Sequence, residues 1–145
     1  MQNRRVVVTG LGLVTSLGND VPTCWQHLLQ GQSGAAPITH FDASKFKTRF
    51  ACEVKDLDMS SLLDAKDIRR YDRYLQYAIH SAEQAMQDAQ IAVDQEDAFR
   101  CGVIYGSGMG GVNALDTNIG EFFQGDGTPR YSPFFIPMII TNMAA

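Results

Sequence analysis

The most regular pattern of apolar positions lies between Tyr71 and Ala89. Tyr71, Leu75, Ala78, Ala82, Ala85 and Ala89 recur at spacings of four and three residues, which is one face of an α-helix. Four alanines on that face predict a closely packed neighbour, because small side chains let backbones approach. A second, shorter helix is expected after Asp20. That residue can cap it, Pro22 suits its first turn and Gly31 its end. A third is expected over 113–123, before the turn-rich break at 124–129. The apolar runs at 5–9 and 100–105 are continuous rather than alternating, so they predict strands covered on both faces, as in a parallel sheet. Residues 50–54 read as a weaker strand. Strands and helices alternate in this reading, and the expected fold class is α/β.

The last twelve residues, FFIPMIITNMAA (134–145), break from the rest. Six of them are large and apolar: Phe134, Phe135, Ile136, Met138, Ile139 and Ile140. Burying each contributes roughly 1.5–3 kcal/mol, together about 9–18 kcal/mol, as much as a domain's net stability. The segment has no glycine stop, basic last turn or polar tail. It is expected to be an internal seam, covered by further polypeptide or by a second subunit. A terminal element docked in the chain's own core is the other reading.

Composition narrows the classes without choosing among them. The chain has 145 residues, the length of one domain, and 45% hydrophobic content is ordinary globular usage. A net charge of −4 gives no global attraction to nucleic acid or to a membrane surface. The three cysteines, Cys24, Cys52 and Cys101, show no metal-binding spacing and read as reduced thiols of a cytoplasmic protein. Neither a signal peptide nor a membrane span is expected: the first apolar run is three valines, and no run approaches the ~20 residues that cross a bilayer.

Two glycine loops invite a nucleotide reading. Gly106-Ser107-Gly108-Met109-Gly110-Gly111 satisfies the GxGxxG pattern, and Gly10-Leu11-Gly12 follows the first predicted strand. A dinucleotide site also wants an acidic residue about 20 positions on, at the end of the next strand. Asp126 falls in a turn instead. The first loop carries Thr15 where glycine or alanine belongs, and no GK[ST] sequence exists for a P-loop. Other chemistry is sparse. Ser107 could imitate a nucleophile, but no histidine is placed to activate it. His27, His40 and His80 are isolated, Cys101 reads as a packed thiol, and Asp56 and Asp58 read as solvated. One charge cluster stands apart from the acidic average. Lys66, Arg69, Arg70 and Arg73 are spaced to share a helical face, either as a solvated helix start or as a docking patch for an acidic partner.

These segments together resemble the β-ketoacyl-acyl-carrier-protein synthases, most closely the type II elongating enzymes of the thiolase-like superfamily. The resemblance is carried by RRVVVTGLGLVTSLGND (4–20), GQSG (31–34), FDASKF with TRFACEVKD (41–56), DRYLQYAIHSAEQAMQDA (72–89), IYGSGMGG (104–111) and SPFFIPMIITNMAA (132–145). It spans nearly the whole chain.

The resemblance implies part of the first half of a layered α-β-α-β-α fold, in a dimeric protein of over four hundred residues. It also implies fatty acid biosynthesis by decarboxylative condensation of an acyl thioester with malonyl-carrier protein, without a separate cofactor. A cysteine thiolate takes the acyl group there, two histidines assist decarboxylation, and backbone N–H groups hold the oxyanion. None of the cysteines or histidines in this chain matches those positions. The nucleophile is expected beyond Ala145, and the chain alone is expected to be inactive.

What carries over residue by residue is binding. Met109, with Gly108 beside it, matches the gate of the acyl pocket. Phe134 and Phe135 match the segment that approaches the partner subunit's pocket, and the 104–145 region is expected to form a homodimer contact. Lys66, Arg69 and Arg70, with Arg130, match the basic patch that receives the acidic acyl-carrier protein. No nucleic acid, membrane or metal is expected. Two alternatives stay open: a non-catalytic, chain-length-determining partner subunit of a polyketide-type synthase, and a nucleotide-binding α/β domain.

Overall fold

In a computed structural model, which describes residues 4–145, helix α1 (Val21–Leu29) starts where the sequence places its cap. The Asp20 carboxylate accepts from the Thr23 N–H and the Thr23 hydroxyl, both at 2.8 Å, and Pro22 stands in the first turn. Cys24 is the buried residue of this helix, and its sulfur accepts from the Thr15 hydroxyl at 3.4 Å. Beyond α1, strands β1 (Ala36–Pro37) and β2 (Phe50–Ala51) pair antiparallel, Ala36 opposite Ala51 and Pro37 opposite Phe50. Proline has no N–H to donate, which suits so short an edge pairing.

Helix α2 (Ala65–Arg70) is capped by Asp64, whose carboxylate accepts from the Lys66 and Asp67 N–H groups at 2.8 Å. The chain turns extended at Tyr71, and α3 runs over Arg73–Ala89. Helix α4 (Val112–Gln124) follows the glycine loop, and α5 (Phe135–Ile139) packs against α4. Single 3₁₀ turns lie at Val93–Gln95, Ala98–Arg100 and Thr141–Ala144.

The chain divides into two compact units, Met1–Asp58 with His80–Ile91, and Met59–Ile79 with Ala92–Ala145. In the first, the alanine face of α3 meets the first glycine loop. A β-carbon at Gly10 would lie 2.1 Å from the Ala85 carbonyl oxygen, and one at Gly12 1.9 Å from that of Ser81. The Leu11 N–H donates to Asp88 at 2.9 Å, and Gln84 Nε2 donates to the Leu13 and Asn19 carbonyls. The close neighbour that the alanines predict is therefore this loop's backbone. His80 contributes to the same seam, its Nε2 3.0 Å from the Asn19 carbonyl oxygen.

Two expectations are corrected. Residues 5–9 and 100–105 form no strands, and they are not covered: Val6, Val8 and Ile104 are 90%, 78% and 102% exposed. Cys101 is exposed for the same reason, not packed as expected. A parallel strand exists only while neighbours on both edges satisfy its N–H and C=O groups. No described segment pairs with either run. Helices with a small sheet fit the α/β class, but the regular alternation of strand and helix is not what these elements form.

Candidate functional site

The residues singled out for binding gather in the second unit. An open groove of about 530 Å³ is lined by Arg69 at the end of α2, Asp72 and Arg73 at the start of α3, one side of α4, and Arg130 and Tyr131. Arg69 and Arg130 are more than sixty residues apart in sequence and line the same groove. Lys66 and Arg70 do not line it. The four cations also do not share one continuous helix, as their spacing predicts: the extended Tyr71 breaks the helix before Arg73. Gln76 fixes the break by donating to the Ile68 and Tyr71 carbonyls at 3.0 and 2.8 Å, which satisfies acceptors that a helix end leaves open.

The two remaining cations have separate environments. Lys66 is exposed on α2. Arg70 is half-buried, with a nitrogen 3.8 Å from Asp67 and its guanidinium carbon 4.2 Å from the centre of the Phe134 ring. Arg130 is exposed and pairs with Asp126 at 3.0 Å. The Thr128 backbone N–H, the Thr128 hydroxyl and Arg130 all bond to the Asp126 carboxylate and hold it below the usual aspartate range.

Phe135 stacks on Tyr131 with ring centres 5.3 Å apart, and Tyr131 stacks on Phe122 of α4 at 6.1 Å. This aromatic ladder joins α4 to α5, and its middle member, Tyr131, lines the groove. No periodicity in the sequence announces it, because its members come from a helix, a loop and another helix.

The glycine loop encloses protein. Gly110 has φ +65°, where an L side chain is strained, and a β-carbon there would lie 2.2 Å from the Ile139 carbonyl oxygen. At Gly111 it would lie 1.9 Å from the Met138 carbonyl oxygen. Ser107 accepts from the Gly110 N–H at 3.1 Å, a turn-closing role and not a nucleophile's. Around Gly108, by contrast, no atom lies within 4 Å of an added β-carbon, and Met109 is 73% exposed.

Asp72, which the sequence analysis did not single out, is 9% exposed and is the buried charged residue among those described. Its Oδ2 accepts from the Ala114 N–H at 2.9 Å, at the third residue of α4. Tyr74 lies close by, its hydroxyl donating to the Ile140 carbonyl. Burial first, then the charge of Asp72 and the nearby Tyr105, push the Tyr74 phenol above its ordinary value. Among the described residues no three His, Cys, Asp or Glu side chains gather as a metal site. Cys24 is engaged with Thr15, His27 with the Leu17 carbonyl, His80 with Asn19 and His40 with Glu53.

Comparison with known families decides the lineage: the β-ketoacyl synthase N-terminal domain matches residues 3–145. The chain belongs to the β-ketoacyl synthase family. It is 48% identical over 145 residues to the 3-oxoacyl-[acyl-carrier-protein] synthase 2 of Coxiella burnetii, covering 100% of this chain and 35% of that protein. It is 43% identical over the same length to the synthase of that name from Vibrio harveyi, again covering 35% of it. Among solved structures, the ishigamide ketosynthase/chain length factor superimposes with a TM-score of 0.79 at 29% identity, over 97% of this chain and 35% of that one. This β-ketoacyl synthase chain thus spans about a third of the length of the relatives it matches. No described helix is long and apolar enough to cross a membrane.

Proposed function

We propose that the chain is the N-terminal third of a fatty-acid-elongating 3-oxoacyl-acyl-carrier-protein synthase and supplies binding surfaces, while the reacting groups come from elsewhere in the enzyme. The observation that carries this reading is the shared groove of Arg69 and Arg130 beside the glycine loop, in a chain of this family. Three arginines, Arg69, Arg73 and Arg130, against the two carboxylates Asp72 and Glu121 leave the groove cationic, which suits an acidic carrier protein, and such steering acts mostly on encounter. Lys66 and Arg70 extend the cationic side of α2 toward the same partner.

Gly108 and Met109 form the acyl-pocket gate. Open space around Gly108 and the exposed, flexible thioether of Met109 suit a side chain that must change position as an alkyl chain enters. Phe134 and Phe135 belong to the segment that approaches the partner subunit's acyl pocket. Ile104, Met109 and Ile136 are exposed and apolar, which supports a homodimer contact through residues 104–145, within a layered thiolase-like fold. Fatty acid synthesis of this type would be cytoplasmic chemistry and needs no further cofactor from these residues.

Within the chain no cysteine or histidine occupies a catalytic position of the family, so the chain alone does not condense substrates. A second reading has its own support: the solved relative named a ketosynthase/chain length factor makes a non-catalytic, chain-length-setting partner subunit the alternative. Charge reversal at Arg69 and Arg130 in the whole enzyme tests the proposal. The KM for acyl-carrier protein should rise about tenfold or more while a small thioester substrate is spared. An equal loss on both substrates rejects a docking role.

A further inference from the structure

We infer that Asp72 is a positioning residue that sets the glycine loop, and through it the acyl-chain preference of the enzyme; this rests on the condensing-enzyme reading above. Helix α4 begins after Gly111, which has no side chain to cap it. Asp72 supplies the cap from 42 positions away, its Oδ2 accepting the Ala114 N–H at 2.9 Å. The helix end carries partial positive charge, which stabilises a buried carboxylate there. The fit is reciprocal. A β-carbon at residue 111 would lie 3.1 Å from Asp72 Oδ2, so glycine leaves the room that the carboxylate fills.

The same residue also starts α3. Its carbonyl oxygen accepts from the Leu75 and Gln76 N–H groups at 3.0 and 3.3 Å. Asp72 therefore ties three things together: the corner that presents Arg69 and Arg70, the start of α4, and the anchored end of the loop. Gly110 and Gly111 are pinned against the Met138 and Ile139 carbonyls, while Gly108 and Met109, only a few residues earlier, are open. Where Met109 stands thus depends on where α4 begins: Asp72 fixes that first turn through Ala114, while the Ile139 carbonyl accepts the Gly111 N–H at 3.4 Å.

The test compares wild type with Asp72→Ala, Asp72→Ser and Asp72→Asn in the whole enzyme, assayed with a short and a long acyl thioester. Asp72→Ala should shift the ratio of kcat/KM between the two substrates by about tenfold. Asp72→Asn keeps an oxygen that can accept the Ala114 N–H, and should stay within about twofold of wild type. Should the alanine protein fail to fold, Asp72→Ser, polar but too short to reach Ala114, should show the same shift as expected for alanine. Equal loss on both substrates, or failure of the asparagine variant to rescue, overturns the inference. Amide exchange at Ala114 separates this inference from the function it rests on. It should speed about tenfold in Asp72→Ser even if the protein condenses nothing, and an unchanged rate rejects the clamp.

Discussion

Arg70 and Phe134 meet face on, the guanidinium carbon 4.2 Å from the ring centre. The sequence assigns one residue to a docking patch and the other to an acyl pocket, and the fold stacks them together. A double-mutant cycle with Arg70→Gln and Phe134→Leu, read by chemical unfolding, should give a coupling of about 0.5–1 kcal/mol. Additive single-mutant effects would mean the contact contributes nothing.

Glycines in one loop should respond in opposite ways to alanine. Gly111→Ala drives a β-carbon into the Met138 carbonyl oxygen, a backbone atom that cannot step aside, and should destabilise by about 1–3 kcal/mol. Gly108→Ala meets open space and should stay within about 0.5 kcal/mol of wild type. Unfolding midpoints of the two variants check the contrast.

Asp20 caps α1 with two hydrogen bonds to Thr23. Asp20→Ala should lower stability by about 0.5–2 kcal/mol, and Asp20→Asn or Asp20→Ser should recover most of the loss. The same unfolding measurement applies.

Tyr74 sets an alkaline limit. Its phenol is raised in the folded protein, so the folded state holds the proton more tightly than the unfolded chain does. The stabilisation is complete below the ordinary tyrosine range and is lost as pH rises through the raised value. Wild type should lose more stability over that window than Tyr74→Phe, which has no proton to release. Unfolding midpoints against pH for the two proteins measure the difference.

Local chemistry was legible in the sequence where the local chain decides the outcome. The Asp20 cap, the alanine face of α3 and the extent of α4 all follow from side chains within a turn or two of one another. The valine run at 6–8 misled, since a strand is a property of paired segments and its edges are uncovered here. The cluster from Lys66 to Arg73 was half legible: the spacing identified the cations, but the helix break at Tyr71 redistributed them. Arg69 and Arg130 share a groove, and Asp72 caps a helix 42 positions away, only because of tertiary folding. An aspartate between arginines gives no signal of that role. The glycine loop offered a partial signal, since its density announced a close approach but not that the approaching atoms are the Met138 and Ile139 carbonyls.

We propose that these residues bind for a condensing enzyme and do not react themselves. The most direct measurement is a condensation assay with acyl thioester and malonyl-carrier protein, run on the whole synthase containing this chain and on the 145-residue chain by itself. The first should give β-ketoacyl product and the second none. Turnover by the chain alone, or a whole protein that binds carrier yet condenses nothing, would contradict it.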